Sequence, residues 1–327
     1  MSKTKVFQVS QNDPDNTPND SSEKPRKLIP AYRDTFVHFL FGSPGNEPIL
    51  LHLLNAVLES DGQAPAKSVE MRNPFNPQTF VTEKHTVLDV KATDEQGDFF
   101  MVEVQTTDQT AFGDRMTYYT CRTFGGQLFS GNTYSMLKRV IGIAITTFVM
   151  FRQLRAIHNK FLLAAKADPS VVLTDRVQMH TLEVTAEKID LVIELPPALG
   201  AWINFFFYSH LISEDDMSTL LKDQPLVQRA YEKFKQFNRD EKLRALDESR
   251  ERFLHDYATD MEVSKAKGVA EGEVKGKVLA ILEVRFNKVP QEIEKVIRSM
   301  VDLIALESLV EHAKTCKSLG EFGEALM

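Results

Sequence analysis

His85-Thr-Val-Leu-Asp-Val-Lys-Ala92, the turn Asp94-Glu-Gln-Gly-Asp98 and Phe99-Phe-Met-Val-Glu-Val-Gln105 together decide the fold. Both flanking runs are rich in apolar and β-branched residues, and the segment between them has the composition of a hairpin turn. Successive side chains on a strand point to opposite faces. Leu88 and Val90 therefore share one face, and Val87, Asp89 and Lys91 the other. Val102 and Val104 likewise oppose Met101, Glu103 and Gln105. If the apolar sets are buried together, Asp89, Lys91, Glu103 and Gln105 gather on one adjoining face. Two carboxylates so placed suit a hard divalent cation such as Mg²⁺, which takes oxygen ligands. Gln105 can orient water or a phosphate but carries no charge; Lys91 can supply one. The same four residues also fit the solvated face of an ordinary antiparallel pair.

Outward from the hairpin, Thr107 or Asp108 caps a helix expected to run to about Phe129. Arg115, Tyr118, Tyr119 and Arg122 fall at i, i+3, i+4 and i+7 and share one face of it. Arginine pairs with phosphate and tyrosine stacks on bases. Tyrosines packed inward between solvated arginines give the same spacing. Val140 to Met150 is a continuous apolar run, as in a buried central strand. Upstream, Phe36, Val37, Leu40 and Phe41 suit a short helix, and Ile49 to Leu58 a longer one, before a loop at Asn73-Pro74-Phe75-Asn76-Pro77.

Downstream, Met179 to Val184 and Ile189 to Leu195 look strand-like, and Trp202 to Tyr208 reads as core. From about Asp215 the chain reads as helices of mixed charge. Gly268, Gly272 and Gly276 recur every four residues there, as in a helical joint or an oligomer face. Leu303, Leu306, Leu309, Val310 and Ala313 form a terminal amphipathic stripe. The expected organisation is a polar leader over residues 1–29, an α/β core over 30–212 and a helical region over 213–327.

The chain has 327 residues, 43% hydrophobic and 26% charged, with a formal net charge of -7. Such a composition supports a globular core and excludes wholesale disorder. The acidic balance excludes a broad, sequence-blind cationic grip on DNA, but not an enzyme with a local basic patch. Cys121 and Cys316 form neither a disulfide framework nor a zinc motif, so a reducing, cytoplasmic setting is expected. Cys121 reads as a small buried residue and His85 as a surface one. The longest apolar run falls short of the roughly 20 residues a membrane span takes.

With these residues in hand, the chain resembles the PD-(D/E)XK nuclease superfamily, and within it the Rpn-type recombination-promoting nucleases, or PD-(D/E)XK family transposases. The matching blocks are Asp34 to Gly42, Leu50 to Leu58, Asn73-Pro74-Phe75-Asn76, Leu88 to Ala92, Val102 to Gln105, Arg115 with Tyr118-Tyr119, and Gln127, Gly131 and Tyr134. They run from about Pro30 to Val184, and the glycine-repeat tail matches again. His38 and Val37 depart from the usual pattern. A later Glu-Leu block fits either Leu182-Glu183 or Ile193-Glu194-Leu195. The resemblance implies a restriction-endonuclease-like mixed sheet flanked by helices and Mg²⁺-dependent hydrolysis of DNA, with Mn²⁺ as a substitute. It implies Asp89 and Glu103 as metal ligands, Gln105 in the place of the superfamily lysine, and Asp34 completing the site. DNA is the expected partner, through Arg115, Tyr118, Tyr119 and Arg122, with no membrane contact and a homo-oligomer through the C-terminal helices. The alternative is an inert DNA-binding or assembly protein that keeps the nuclease fold.

Overall fold

The computed structural model describes residues 27–73, 90–108 and 111–326. Asp89, His85 and the leader up to residue 26 lie outside the described residues.

The expected hairpin is present in its described part. β2 (Val90–Asp94) pairs antiparallel with β3 (Phe99–Gln105), Val90 opposite Val102 and Lys91 opposite Met101. Asp94 makes the turn: one of its carboxylate oxygens accepts from Gln96 N and Asp98 N, each at 2.9 Å. Gly97 takes φ +81°, a backbone state that side chains oppose.

The hairpin belongs to a six-stranded sheet of order β1-β2-β3-β4-β6-β5, with β1 at Val69–Met71, β4 at Val140–Thr146, β5 at His158–Ala165 and β6 at Asp168–Glu183. β3, β4 and β6 run parallel and the outer pairs antiparallel. Parallel neighbours need a crossover, and the helix α3 (Phe112–Gly125) supplies it between β3 and β4. The sheet is therefore mixed, as expected. α3 starts later and ends earlier than its sequence signals suggest.

The period-2 alternation of β3 sorts the two sides of the sheet. Phe100, Val102 and Val104 face the main core, with Ile141, Ile143 and Ile145 of β4. That side is covered by α1 (Asp34–Gly42), α2 (Glu47–Ser60), α4 (Pro197–Tyr208) and α6 (Pro225–Arg239), whose Phe36, Leu53, Trp202 and Phe234 are almost fully buried. The core continues past residue 212, taking in Met217 of α5 (Glu214–Leu220) and Phe237 of α6. Met101 faces the other side and packs with Phe112 and Met116 of α3. Gly142 permits that close approach: a Cβ there would lie 2.9 Å from Thr120 Oγ1.

Two expectations are corrected. Ile189 to Glu194 is a 3-10 helix, not a strand, with Ile193 76% exposed. Ile189, Leu191, Ile193 and Leu195 alternate as in a strand, which is the misleading signal, and the two prolines that follow start α4. Cys121 is exposed rather than buried, because it sits on the outer side of α3 while Met116 and Thr120 take the inner one. β5 had no sequence assignment.

After α6 a single helix, α7 (Glu241–Phe286), carries all three repeated glycines. Its last turns, α8 (Gln291–Ser299), α9 (Leu303–Thr315) and α10 (Leu319–Glu324) enclose a second apolar cluster around Val278, Leu282, Ile297, Leu306 and Phe322. No helix among the described residues is long and apolar enough to cross a membrane.

Candidate active site

Glu103 lies on the α3 side of the sheet, near the C-terminal end of β3, and is only 6% exposed. A carboxylate withdrawn this far from water needs partners. Arg115, from the first turns of α3, ion-pairs with it. The same Arg115 nitrogen donates to Gln105 Oε1 at 2.9 Å. Gln105 Nε2 in turn donates to Thr107 O at 2.8 Å, which sets the orientation of the amide. The Arg115 guanidinium lies over the Phe112 ring, 5.2 Å from its centroid. Carboxylate, amide and guanidinium thus form one held unit, with Phe112 as its floor.

Strand register adds neighbours to this unit. Lys91 is half-buried and opposite Met101, so it lies on the Glu103 side of the sheet, the parity that the sequence assigns to Asp89. Across the parallel strands Gln105 is level with Thr146, and Thr146 with Glu183. Glu183 is fully buried. Lys188 Nζ reaches it at 2.8 Å and also donates to Leu154 O at 2.7 Å and Ala156 O at 3.0 Å. That pair is a buried staple between the end of β6 and the segment before β5, and it places the Leu182-Glu183 alternative of the two sequence blocks inside the sheet. Glu194 instead pairs with Arg155 at the surface.

Asp34 heads α1, where its charge suits the helix N-terminus. One of its oxygens accepts from Thr35 N at 2.7 Å, and the other meets Arg250 Nε of α7 at 3.3 Å. Arg33 makes matching pairs with Asp247 and Glu251. These contacts tie α1 to the start of α7.

The α3 residues divide by direction. Arg115 turns in to Glu103. Tyr119 packs beside the Met101 cluster. Tyr118 is 56% exposed and Arg122 lies over its ring, 6.0 Å from the centroid. The helical spacing put all four on one stripe, but that stripe straddles the edge between sheet and water.

Among the described residues no three His, Cys, Asp or Glu side chains gather to hold a metal. The described donors at the site, the Glu103 carboxylate and the Gln105 amide oxygen, are oxygens of the kind a hard divalent cation takes. Sequence reasoning missed a histidine pair on the opposite side of the sheet. His158 Nε2 and His180 Nδ1 are 2.8 Å apart, and the His158 ring also meets Ser60 Oγ at 3.1 Å. Burial pushes the His180 imidazole down to about 3, aided by its charged-state repulsion from His158. Each is a lone histidine in sequence, 22 positions apart, and only the pairing of β5 with β6 brings them together.

Residues 32–264 match a family model described as PD-(D/E)XK nuclease family transposase. Neither the comparison with curated proteins nor that with solved structures gave a match. The matched span begins just before α1 and ends within α7, so it contains the sheet and the Glu103–Gln105–Arg115 unit.

Proposed function

The chain belongs to the PD-(D/E)XK nuclease family transposases, and from that premise we propose that it is a metal-dependent DNA endonuclease of the recombination-promoting type. The observation that carries this reading is the buried Glu103 carboxylate, held beside Gln105 at the end of a central strand. In this reading Asp89 and Glu103 hold Mg²⁺, which Mn²⁺ can replace. When bound, the cation polarises a phosphoryl oxygen and lowers the pKa of water. Gln105 orients the attacking water or the phosphate through its amide. Lys91 carries positive charge on the Glu103 side of the sheet, and Asp34 contributes from α1. Arg115 and Arg122 meet backbone phosphates, with Tyr118 and Tyr119 beside them. DNA is the substrate and the cytoplasm the setting.

Plasmid DNA incubated with Mg²⁺ tests this directly. The wild-type chain should nick it, and Asp89→Ala and Glu103→Ala should not. Equal nicking by all three folded proteins would remove the site. Unchanged turnover in Lys91→Ala would remove Lys91 from it.

A second reading is favoured by one observation: the Glu103 carboxylate is already ion-paired with Arg115. An inert DNA-binding protein of the same fold would keep such a pair permanently. Retention of DNA in EDTA, with no cleavage in Mg²⁺ or Mn²⁺, would support it.

A further inference from the structure

The loop from residue 126 to 139, between α3 and β4, is braced by hydrogen bonds at its base and its turns yet holds aromatic side chains out in water. Gln127 closes its base with two bonds, accepting from Lys138 N at 2.7 Å and donating to Lys138 O at 3.1 Å. Asn132 Oδ1 accepts from Phe129 N at 2.7 Å, and Asn132 N donates back to Phe129 O at 3.0 Å. Gly131, at φ +90°, makes this turn possible. Tyr134–Met136 is a single 3-10 turn, and the Arg176 side chain donates to Leu137 O just beyond it.

On this braced backbone Phe129 is 78% exposed, Tyr134 83% and Met136 55%. All three belong to one eight-residue stretch of this loop, and large apolar side chains held out on one surface segment mark a contact site. Bracing lowers the ordering cost of making the contact. Tyr134 is also one of the residues by which the sequence resembles its family, and the site at Glu103 makes no use of it.

Charge indicates the occupant. Arg122 in the last turn of α3 and Lys138 at the loop's end are both exposed, and neither forms an ion pair among the described residues. Exposed rings on a segment flanked in the chain by an unneutralised Arg and Lys are the chemistry that holds unpaired nucleotides, with bases stacked on the rings and phosphates on the cations. Position agrees with this. Phe99 is level with Val140, so the loop enters the sheet at the Phe99 end of β3, opposite Gln105. The 14 residues of α3 connect the two ends. That length is about 21 Å, or about six nucleotide steps at roughly 3.4 Å each.

We propose that Phe129 and Tyr134 form a stacking platform for unpaired bases of a DNA strand, on the flank of the cutting site. The proposal rests on the reading above for the choice of DNA as the nucleic acid and for the site that the platform flanks.

Binding in EDTA separates the two readings, because it requires no cleavage. Fluorescence anisotropy would compare a labelled single strand with a duplex of equal length. Base stacking on a ring is worth about 1–3 kcal/mol, so Phe129→Ala/Tyr134→Ala should weaken single-strand binding by about tenfold or more. Its salt dependence should stay as in the wild-type chain, because no cation is removed, and duplex binding should change far less. Tyr134→Phe, which keeps the ring, should bind as the wild-type chain does. An unchanged single-strand Kd in the double variant would overturn the platform, as would no single-strand binding by the wild-type chain. Equal losses on single strand and duplex would also overturn it. Sedimentation velocity adds one further check: a wild-type dimer that becomes a monomer in the double variant would assign the loop to a second copy of the chain instead.

Discussion

Arg115 does most at the scale of single residues. It is 31% exposed at the side chain and pairs with a carboxylate that is 8% exposed. Removing one member of a fully buried pair costs about 3–5 kcal/mol, because the other charge is left without compensation. With Arg115 partly open to water, Arg115→Ala should cost about 2 kcal/mol, read as a lower midpoint in urea at constant slope. In the proposed function it should also reduce the salt dependence of DNA binding by about one unit of slope. A variant with wild-type stability and wild-type slope would show the contact to be idle. Sequence alternation correctly put Lys91, Glu103 and Gln105 on one side of the sheet. It could not show that Arg115 points inward while Tyr118 points out. Helical spacing defines a stripe, and the tilt of α3 on the sheet decides which part of that stripe is covered.

At the scale of elements, α3 delivers Arg115 to β3, and its seat is Gly142. A side chain there would meet Thr120 Oγ1 at 2.9 Å and Met116 Cε at 3.2 Å, both in the middle of the helix. Gly142→Val should therefore lift α3 and displace Arg115 from Glu103, with a stability loss of about 1–3 kcal/mol for overpacking. Cleavage should fall further than stability alone explains. The check is activity measured at a temperature where circular dichroism shows the variant fully folded. Full activity there would mean that α3 need not sit where it does. The hairpin and α3 are legible from their local periods, and β4 from its unbroken apolar run, buried at every position. β5 is not: its burial is intermediate to exposed along its length, so no alternation marks it. The 3-10 helix at Ile189–Glu194 carries a strand-like alternation, but alternation says nothing about whether a pairing partner is in reach.

For the whole molecule, the net charge of -7 leaves positive charge to act locally, on α3 and the loop after it. Acid should destabilise the fold through His180. Its folded pKa is depressed to about 3 by burial and by His158, against about 6.5 in an unfolded chain. Between those values the unfolded state binds more protons, so stability falls as pH falls, by at most about 1.4 kcal/mol per pH unit for this group. Thermal melts from pH 7.5 to 4.5 should show a declining Tm, and His180→Gln should flatten the decline. An unchanged slope in that variant would place the acid sensitivity elsewhere.

The glycines of α7 bear on assembly. A Cβ at Gly268, Gly272 or Gly276 would meet nothing within 4 Å. Gly272→Ala should then stabilise the helix by about 1 kcal/mol if that side faces water in solution. A destabilised variant with a smaller sedimentation coefficient would instead support the homo-oligomer through the C-terminal helices that the sequence leads one to expect. The sequence pattern alone could not choose between joint and interface, because both favour small residues.

The central claim is that Glu103 is a working carboxylate of a DNA-cutting site, and single-turnover cleavage with Glu103→Gln tests it most directly. Glutamine keeps the size and hydrogen-bonding reach of the side chain but removes the charge a divalent cation requires. The account predicts that the folded variant binds a short DNA duplex in EDTA and fails to cut it in Mg²⁺ or Mn²⁺, while the wild-type chain cuts it in both. Cleavage by Glu103→Gln at the wild-type rate would contradict the account.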